Sequence, residues 1–143
     1  MFEEDDTVFY FSTHQFPFYP GTGAASETGR GRGAGFTLNV PMAAGSGDRE
    51  YARVFREVLS PAIDRFGPDF ILISAGFDAH ARDPLGGGGQ SLEAEDFAWA
   101  TRAIASVANR HAKGRVVSSL EGGYDLGALG SSALAHVRAL SEG

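Results

Sequence analysis

The sequence predicts an α/β domain with a mostly parallel sheet flanked by helices. Apolar β-rich runs alternate with stretches of helical period along most of the chain, the pattern of strands joined by crossover helices. One run, Phe70–Ser74 (FILIS), is apolar without interruption, as expected of a strand buried on both faces of a parallel sheet. The chain of 143 residues, 43% hydrophobic and 21% charged, has the length and composition of a globular domain or part of one.

Thr7–Thr13 (TVFYFST) is aromatic and β-branched, hence a strand. Prolines and glycines from Pro17 to Gly35 mark a long loop, and Phe36–Val40 reads as a second short strand. From Asp48 the period changes: Tyr51, Val54, Phe55, Val58, Leu59, Ile63 and Phe66 fall at helical spacing. Pro61 lies inside that stripe and should kink or split the helix, which Gly67-Pro68 ends. After the Phe70–Ser74 strand and the glycines at 86–89, Ser91 is placed to cap a helix whose first turn carries Glu93, Glu95 and Asp96. Phe97, Ala100, Ile104, Val107 and His111 mark the expected inner face of that helix, and Lys113-Gly114 closes it. Val116–Leu120 is the next strand, and Leu129, Ala133, Val137 and Leu140 are the expected buried stripe of a last helix.

Composition excludes several classes of function. With no cysteine, the chain forms no disulfide, Cys-type zinc knuckle or iron–sulfur site and has no thiol nucleophile. A formal charge of −6 argues against a nucleic-acid backbone or an anionic membrane as the main partner. The start, Met1-Phe2-Glu3-Glu4-Asp5-Asp6, is acidic where a signal peptide is basic, so a cytoplasmic location is the expectation. There is no Gly-x-Ser-x-Gly elbow for a serine hydrolase. The glycine runs at 21–23 and 31–35 do not join a strand directly to a helix, and Gly86–Gly89 lacks the Lys-Ser/Thr of a phosphate loop.

Sites on open parallel sheets form in the loops that leave the carboxyl ends of the strands. Three such loops carry chemistry-bearing residues: the one containing His14, then Gly76-Phe77-Asp78-Ala79-His80, then Glu121-Gly122-Gly123-Tyr124-Asp125. If their strands are neighbours, His14, Asp78 and Tyr124 converge on one edge. Each has a plainer role open to it. An Asp just past a strand caps turns as readily as it binds metal, a Tyr after Gly-Gly can plug the sheet, and His14 can be a structural hydrogen-bonder. His80 reads as an exposed loop residue, and His111 and His136 as packing or surface residues of helices.

Taken together, these loops resemble the zinc-dependent histone deacetylase family, which includes bacterial acetylpolyamine amidohydrolases. The likeness rests on Ser12-Thr13-His14-Gln15, Phe18-Tyr19-Pro20-Gly21-Thr22-Gly23 and Asn39-Val40-Pro41. It continues through Ser74-Ala75-Gly76-Phe77-Asp78-Ala79 and Asp83-Pro84-Leu85-Gly86, close to the class II form, and Leu120-Glu121-Gly122-Gly123-Tyr124. The resemblance implies an arginase/deacetylase-type fold, incomplete in this chain. It also implies a zinc ligand at Asp78 and, at Tyr124, a phenol that hydrogen-bonds the acyl oxygen. Tyr19, Leu85, Gly122 and Gly123 match positions that line the channel for an acetylated lysine or acetylated amine. Phe2, Asp5, Val8 and Phe36 match a structural monovalent-cation (K+) site, and Ser12 and Thr13 part of a second. His80 is no ligand in this pattern.

The family's paired histidines and its zinc-binding Asp-x-His precede the first strand of the matching region and have no counterpart among these residues. A catalytic zinc takes three protein ligands and a water, so residues 1–143 are expected to be the carboxyl-terminal part of a single catalytic domain. A non-catalytic binding or assembly module that keeps the deacetylase fold is the alternative.

Overall fold

The computed structural model describes residues 1–85 and 89–143, and its contacts divide the chain into two compact units, Met1–Ala44 and Gly45–Gly143. The glycine loop expected at 86–89 falls largely outside the described residues. Among those that are described, no helix is long and apolar enough to cross a membrane.

In the first unit, β1 (Tyr10–Gln15) pairs in parallel with β2 (Thr37–Met42), from Tyr10 opposite Thr37 to Gln15 opposite Met42. Both strands begin later than the residue pattern suggests. Thr7 is taken by a turn in which its N–H and hydroxyl both donate to Asp5 Oδ1, at 2.8 and 2.6 Å. At the other end the ladder carries the strand past Pro41, which lies opposite His14. The amino-terminal segment lies along the loop before β2: Arg30 N–H donates to the Glu3 carbonyl at 2.7 Å, and the Arg30 guanidinium meets both the Glu3 and Glu4 carboxylates.

The second unit begins with β3 (Ser46–Gly47) and one helical stretch in three parts: α1 (Asp48–Val54), a π-turn over Phe55–Leu59, and α2 (Ser60–Phe66). Pro61 explains the π-turn. Proline has no N–H to donate and its ring crowds the carbonyl four residues back, and the wider turn removes that conflict. Ser60 closes it, its N–H and its hydroxyl both reaching the Phe55 carbonyl, the hydroxyl at 2.9 Å. Thus Pro61 divides the helix, as expected, without ending it. The chain continues through β4 (Ile71–Ala75), β5 (Gln90–Ser91, paired with β3), α3 (Ala94–His111), β6 (Val116–Leu120) and α4 (Leu126–Glu142). β4 and β6 pair in parallel, Ile71 opposite Val116 through Ala75 opposite Leu120, with α3 as the crossover.

Four details correct the sequence reading. Ser91 does not cap α3: it belongs to β5, and the helix starts after Glu93, whose N–H is taken by the Asp96 carboxylate at 2.8 Å. The buried face of α3 is Ala98, Thr101, Ala105, Val107 and Ala108. That of α4 is Ala128, Ser132, His136 and Ala139, one position before the expected stripe. Both helices turn their small residues inward because they pack on each other, which leaves Leu134 and Val137 exposed. Finally, within these 143 residues β4 is covered on one face only. Leu72 is 76% exposed, as is half of its register partner Val117, whereas Ala75 is buried.

His136 is buried where α3, α4 and β6 meet. Thr101 donates its single hydroxyl proton to the Phe97 carbonyl at 2.6 Å, so its oxygen accepts from His136 Nδ1–H, also at 2.6 Å. Nε2 is then an acceptor for the Ser118 hydroxyl at 2.8 Å. This is the neutral imidazole, and burial pushes its pKa below the ordinary 6.5. Between the folded and ordinary values the unfolded chain binds the extra proton, so stability is present above pH 6.5 and is lost as pH falls below it. Urea midpoints at pH 7.5 and 5.5 should show that loss, and His136→Gln should reduce the difference between the two pH values. An unchanged difference in the variant would assign the acid sensitivity to another group.

Candidate active site

Parallel pairing of β4 with β6 puts the two loops that follow them at the same sheet edge. Glu121 N–H donates to the Ala75 carbonyl at 3.0 Å and Phe77 N–H to the Gly122 carbonyl at 2.8 Å, so the ladder extends into both loops. Phe77 anchors its loop from below, with its ring edge-on to Phe97 at 5.2 Å and to His136 at 5.7 Å.

The half-buried Asp78 carboxylate sits in a notch between two glycines. A Cβ at Gly122 would stand 2.8 Å from Asp78 Cγ and 2.9 Å from each carboxylate oxygen, and a Cβ at Gly76 would stand 2.8 Å from Oδ1. Only glycine on both sides leaves the group its place. Among the described residues no hydrogen bond or ion pair is made to that carboxylate, so its lone pairs are available to a cation. Its charge does register on Tyr51. Burial, chiefly, and then the Asp78 charge push the Tyr51 phenol well above the usual range, so it stays protonated and donates to Gln90 Oε1 at 2.9 Å. The described residues contain no group of three or more His, Asp or Glu able to hold a metal. The notch and the unpaired carboxylate are compatible with one ligand of a metal ion, and among the described residues Asp78 is the candidate for it.

Tyr124 is 55% exposed, so it does not plug the sheet; its backbone, rather than its ring, is held down. The holder is Asp83, which sequence reasoning left as one letter of a motif. Asp83 is buried, its Oδ2 accepts Tyr124 N–H at 2.6 Å and Asp125 N–H at 3.4 Å, and its Oδ1 accepts Leu85 N–H at 2.9 Å. The Asp-Pro pair at 83–84 signals a turn in which the carboxylate takes the N–H two residues on; the reach to Tyr124 has no local signal. His80 is a second correction. Expected to be exposed, it is 2% accessible, with Nδ1 accepting Arg82 N–H at 3.1 Å and Nε2–H directed at Glu93 at 3.4 Å. It braces the turn that carries Asp83, whose own N–H donates to the His80 carbonyl. Leu85 is 63% exposed. Gly123 has φ +133°, a conformation suited to glycine.

The remaining candidates lie in the first unit. His14 Nε2–H donates to the Gly23 carbonyl at 2.9 Å, so Nδ1 accepts from the Ser12 hydroxyl at 2.9 Å, and the Ser12 oxygen keeps its lone pairs. Glu27 takes Gly23 N–H at 3.1 Å and Ala24 N–H at 3.2 Å. Between these ties Tyr19 stands 90% exposed. Phe2 and Phe36 offer carbonyls that accept Asp5 N–H at 3.1 Å and Tyr10 N–H at 2.8 Å. Val8 and Thr13 are half-buried. The Thr7 bonds hold the Asp5 carboxyl below its usual range.

The model of the histone deacetylase domain matches residues 1–140. The chain belongs to the histone deacetylase family. A probable deacetylase of Archaeoglobus fulgidus is 42% identical over 142 residues, covering 99% of this chain and 39% of the relative. Histone deacetylase 10, a chloroplastic protein of Oryza sativa subsp. japonica, is 48% identical over 131 residues, covering 92% and 29%. Among solved structures, the HDA15 HD domain superposes with a TM-score of 0.89 at 38% identity, over 97% of this chain and 38% of that one. The fold is therefore that of histone deacetylase domains. The chain spans well under half the length of the relatives it matches.

Proposed function

We propose that residues 1–143 are the carboxyl-terminal part of a single deacetylase catalytic domain, and that the complete protein hydrolyses an acyl amide, an acetylated lysine or acetylated amine, with zinc. The observation that carries this reading is the Asp78 carboxylate, unpaired in its glycine notch beside the Gly-Gly-Tyr loop, in a chain of the histone deacetylase family. When bound, zinc would supply a Lewis acid for the amide carbonyl and lower the pKa of a water molecule. Asp78 would hold it from one side, with further ligands from outside these residues. Tyr124 donates its phenol O–H to the carbonyl oxygen as negative charge builds there, a contact realised most strongly in the transition state. Its exposure suits a group that meets a substrate. Leu85 is an apolar wall for the acyl chain, and Gly122 and Gly123 keep the loop beside it clear of side chains; Tyr19 is assigned a substrate-binding role by family likeness alone. K+ is assigned by family likeness to Phe2, Asp5, Val8 and Phe36, and to Ser12 and Thr13.

The test is hydrolysis of an acetyl-lysine peptide and of an acetylated polyamine by the complete protein loaded with zinc. Turnover of at least one is expected, and none by the 143 residues alone. Robust turnover by the short chain would overturn the partial-domain reading. A zinc-loaded complete protein that cleaves no acyl amide would favour a binding or assembly module.

A further inference from the structure

We propose that Asp83 is a positioning residue that fixes the Tyr124 phenol and the Leu85 wall from a single buried carboxylate. Its catalytic meaning rests on the deacetylase reading above. The two oxygens divide the work: Oδ1 holds Leu85 N–H at 2.9 Å, and Oδ2 holds Tyr124 N–H at 2.6 Å with Asp125 N–H at 3.4 Å. Charge-assisted bonds of this kind are short and roughly twice as strong as neutral ones. Neither Leu85 nor Tyr124 is restrained by burial, at 63% and 55% exposure, so their backbones need an anchor if their side chains are to keep a place. The anchor is itself fixed. Asp83 N–H donates to the His80 carbonyl at 2.9 Å, and Ala81 N–H and Leu92 N–H bond across to Leu92 and Ala79. On the far side Asp125 caps α4 by accepting Ala128 N–H at 2.6 Å and faces Arg82 at 3.8 Å. The Tyr124 loop is thus tied to the His80–Leu85 turn as well as to α4. A catalytic group displaced by about 1 Å can lose on the order of 10²-fold in rate.

An aspartate-to-asparagine change separates this role from simple packing. Asn keeps the shape of Asp83 but has one acceptor oxygen, so it can serve Leu85 or Tyr124 and not both; Asp83→Ala serves neither. In the complete protein, Asp83→Asn should lower kcat by about 10-fold and also raise KM, with zinc content unchanged; Asp83→Ala should go further on both. Loss of the phenol alone moves chiefly kcat, so the double effect is the signature of a shared anchor. In the unsubstituted complete protein, NMR should detect a scalar coupling through the hydrogen bond between the Tyr124 amide nitrogen and the Asp83 carboxyl carbon. In Asp83→Asn the Tyr124 amide should exchange at least 10-fold faster while the Val117 amide is unaffected. Absence of the coupling, unchanged Tyr124 exchange, or a variant with wild-type kcat and KM would each overturn the proposal. The NMR results decide the anchor even if the complete protein shows no deacetylase turnover, in which case only the functional reading fails.

Discussion

Asp78→Asn is expected to cost the complete protein its zinc and its turnover together. The substitution preserves size and the notch between Gly76 and Gly122, so fold and thermal melting should change little. What it removes is the negative charge and one strongly basic oxygen, and a neutral amide is a far weaker partner for a divalent cation. Metal analysis after dialysis is the measurement, with zinc near stoichiometric in the wild type and near absent in the variant. Gly122→Ala gives an independent check that leaves every donor in place. Its Cβ, 2.8 Å from Asp78 Cγ, must push the carboxylate aside. Misorienting a ligand in this way should weaken zinc binding by about 10–100-fold, the range seen when groups that orient ligands are altered. Full zinc affinity in both variants would return Asp78 to the plainer role of a loop residue.

Tyr124→Phe should separate chemistry from binding. The ring is 55% exposed and the loop is held through its backbone by Asp83, so loss of one hydroxyl leaves both the anchor and the core intact. If the phenol acts on the carbonyl oxygen as charge develops, kcat should drop by about 10²–10³, the cost of removing one oxyanion donor. KM should move much less and zinc content not at all. Steady-state kinetics beside a thermal melt tells the alternatives apart, since a merely structural tyrosine would lower the melting temperature and leave kcat near normal. A Phe variant with full kcat would remove Tyr124 from the mechanism.

The parts of the molecule that could be read from sequence are those with local causes. Val116–Leu120 is a strand over its expected residues, and Pro61 divides its helix because the missing N–H and the crowded carbonyl are properties of proline itself. Asp78 and Tyr124 were legible as a pair because parallel strands send their loops to one edge, and β4 and β6 are neighbours. His14 could not be joined to them in this way, because its strand pairs with β2 in the other unit. The errors concern what packs on what. The small-residue faces of α3 and α4 are buried because each helix is the other's partner, which a single helical stripe does not reveal. The FILIS run suggests two covered faces; within these 143 residues, well under half the length of the relatives, Leu72 is exposed, and none of the strand's described neighbours covers that face. The roles of Asp83 and His80 have a related cause: the burial of both and the hydrogen bonds that Asp83 accepts from the Tyr124 loop exist only in the folded 80–85 turn.

The crossover that joins β4 to β6 also sets an order of events. All of α3 lies between Asp78 and Tyr124, and a non-local strand pair must meet its loop-closure cost before its hydrogen bonds repay it. Helix α3 can gain stability from its own turns and its capped amino terminus, but β6 gains little until it finds β4. The Asp78 notch therefore has no lower wall until that pairing is complete, since Gly122 arrives with β6. A nascent chain synthesised only as far as α3 would carry the Asp78 carboxylate without its notch, which closes only when β6 pairs with β4.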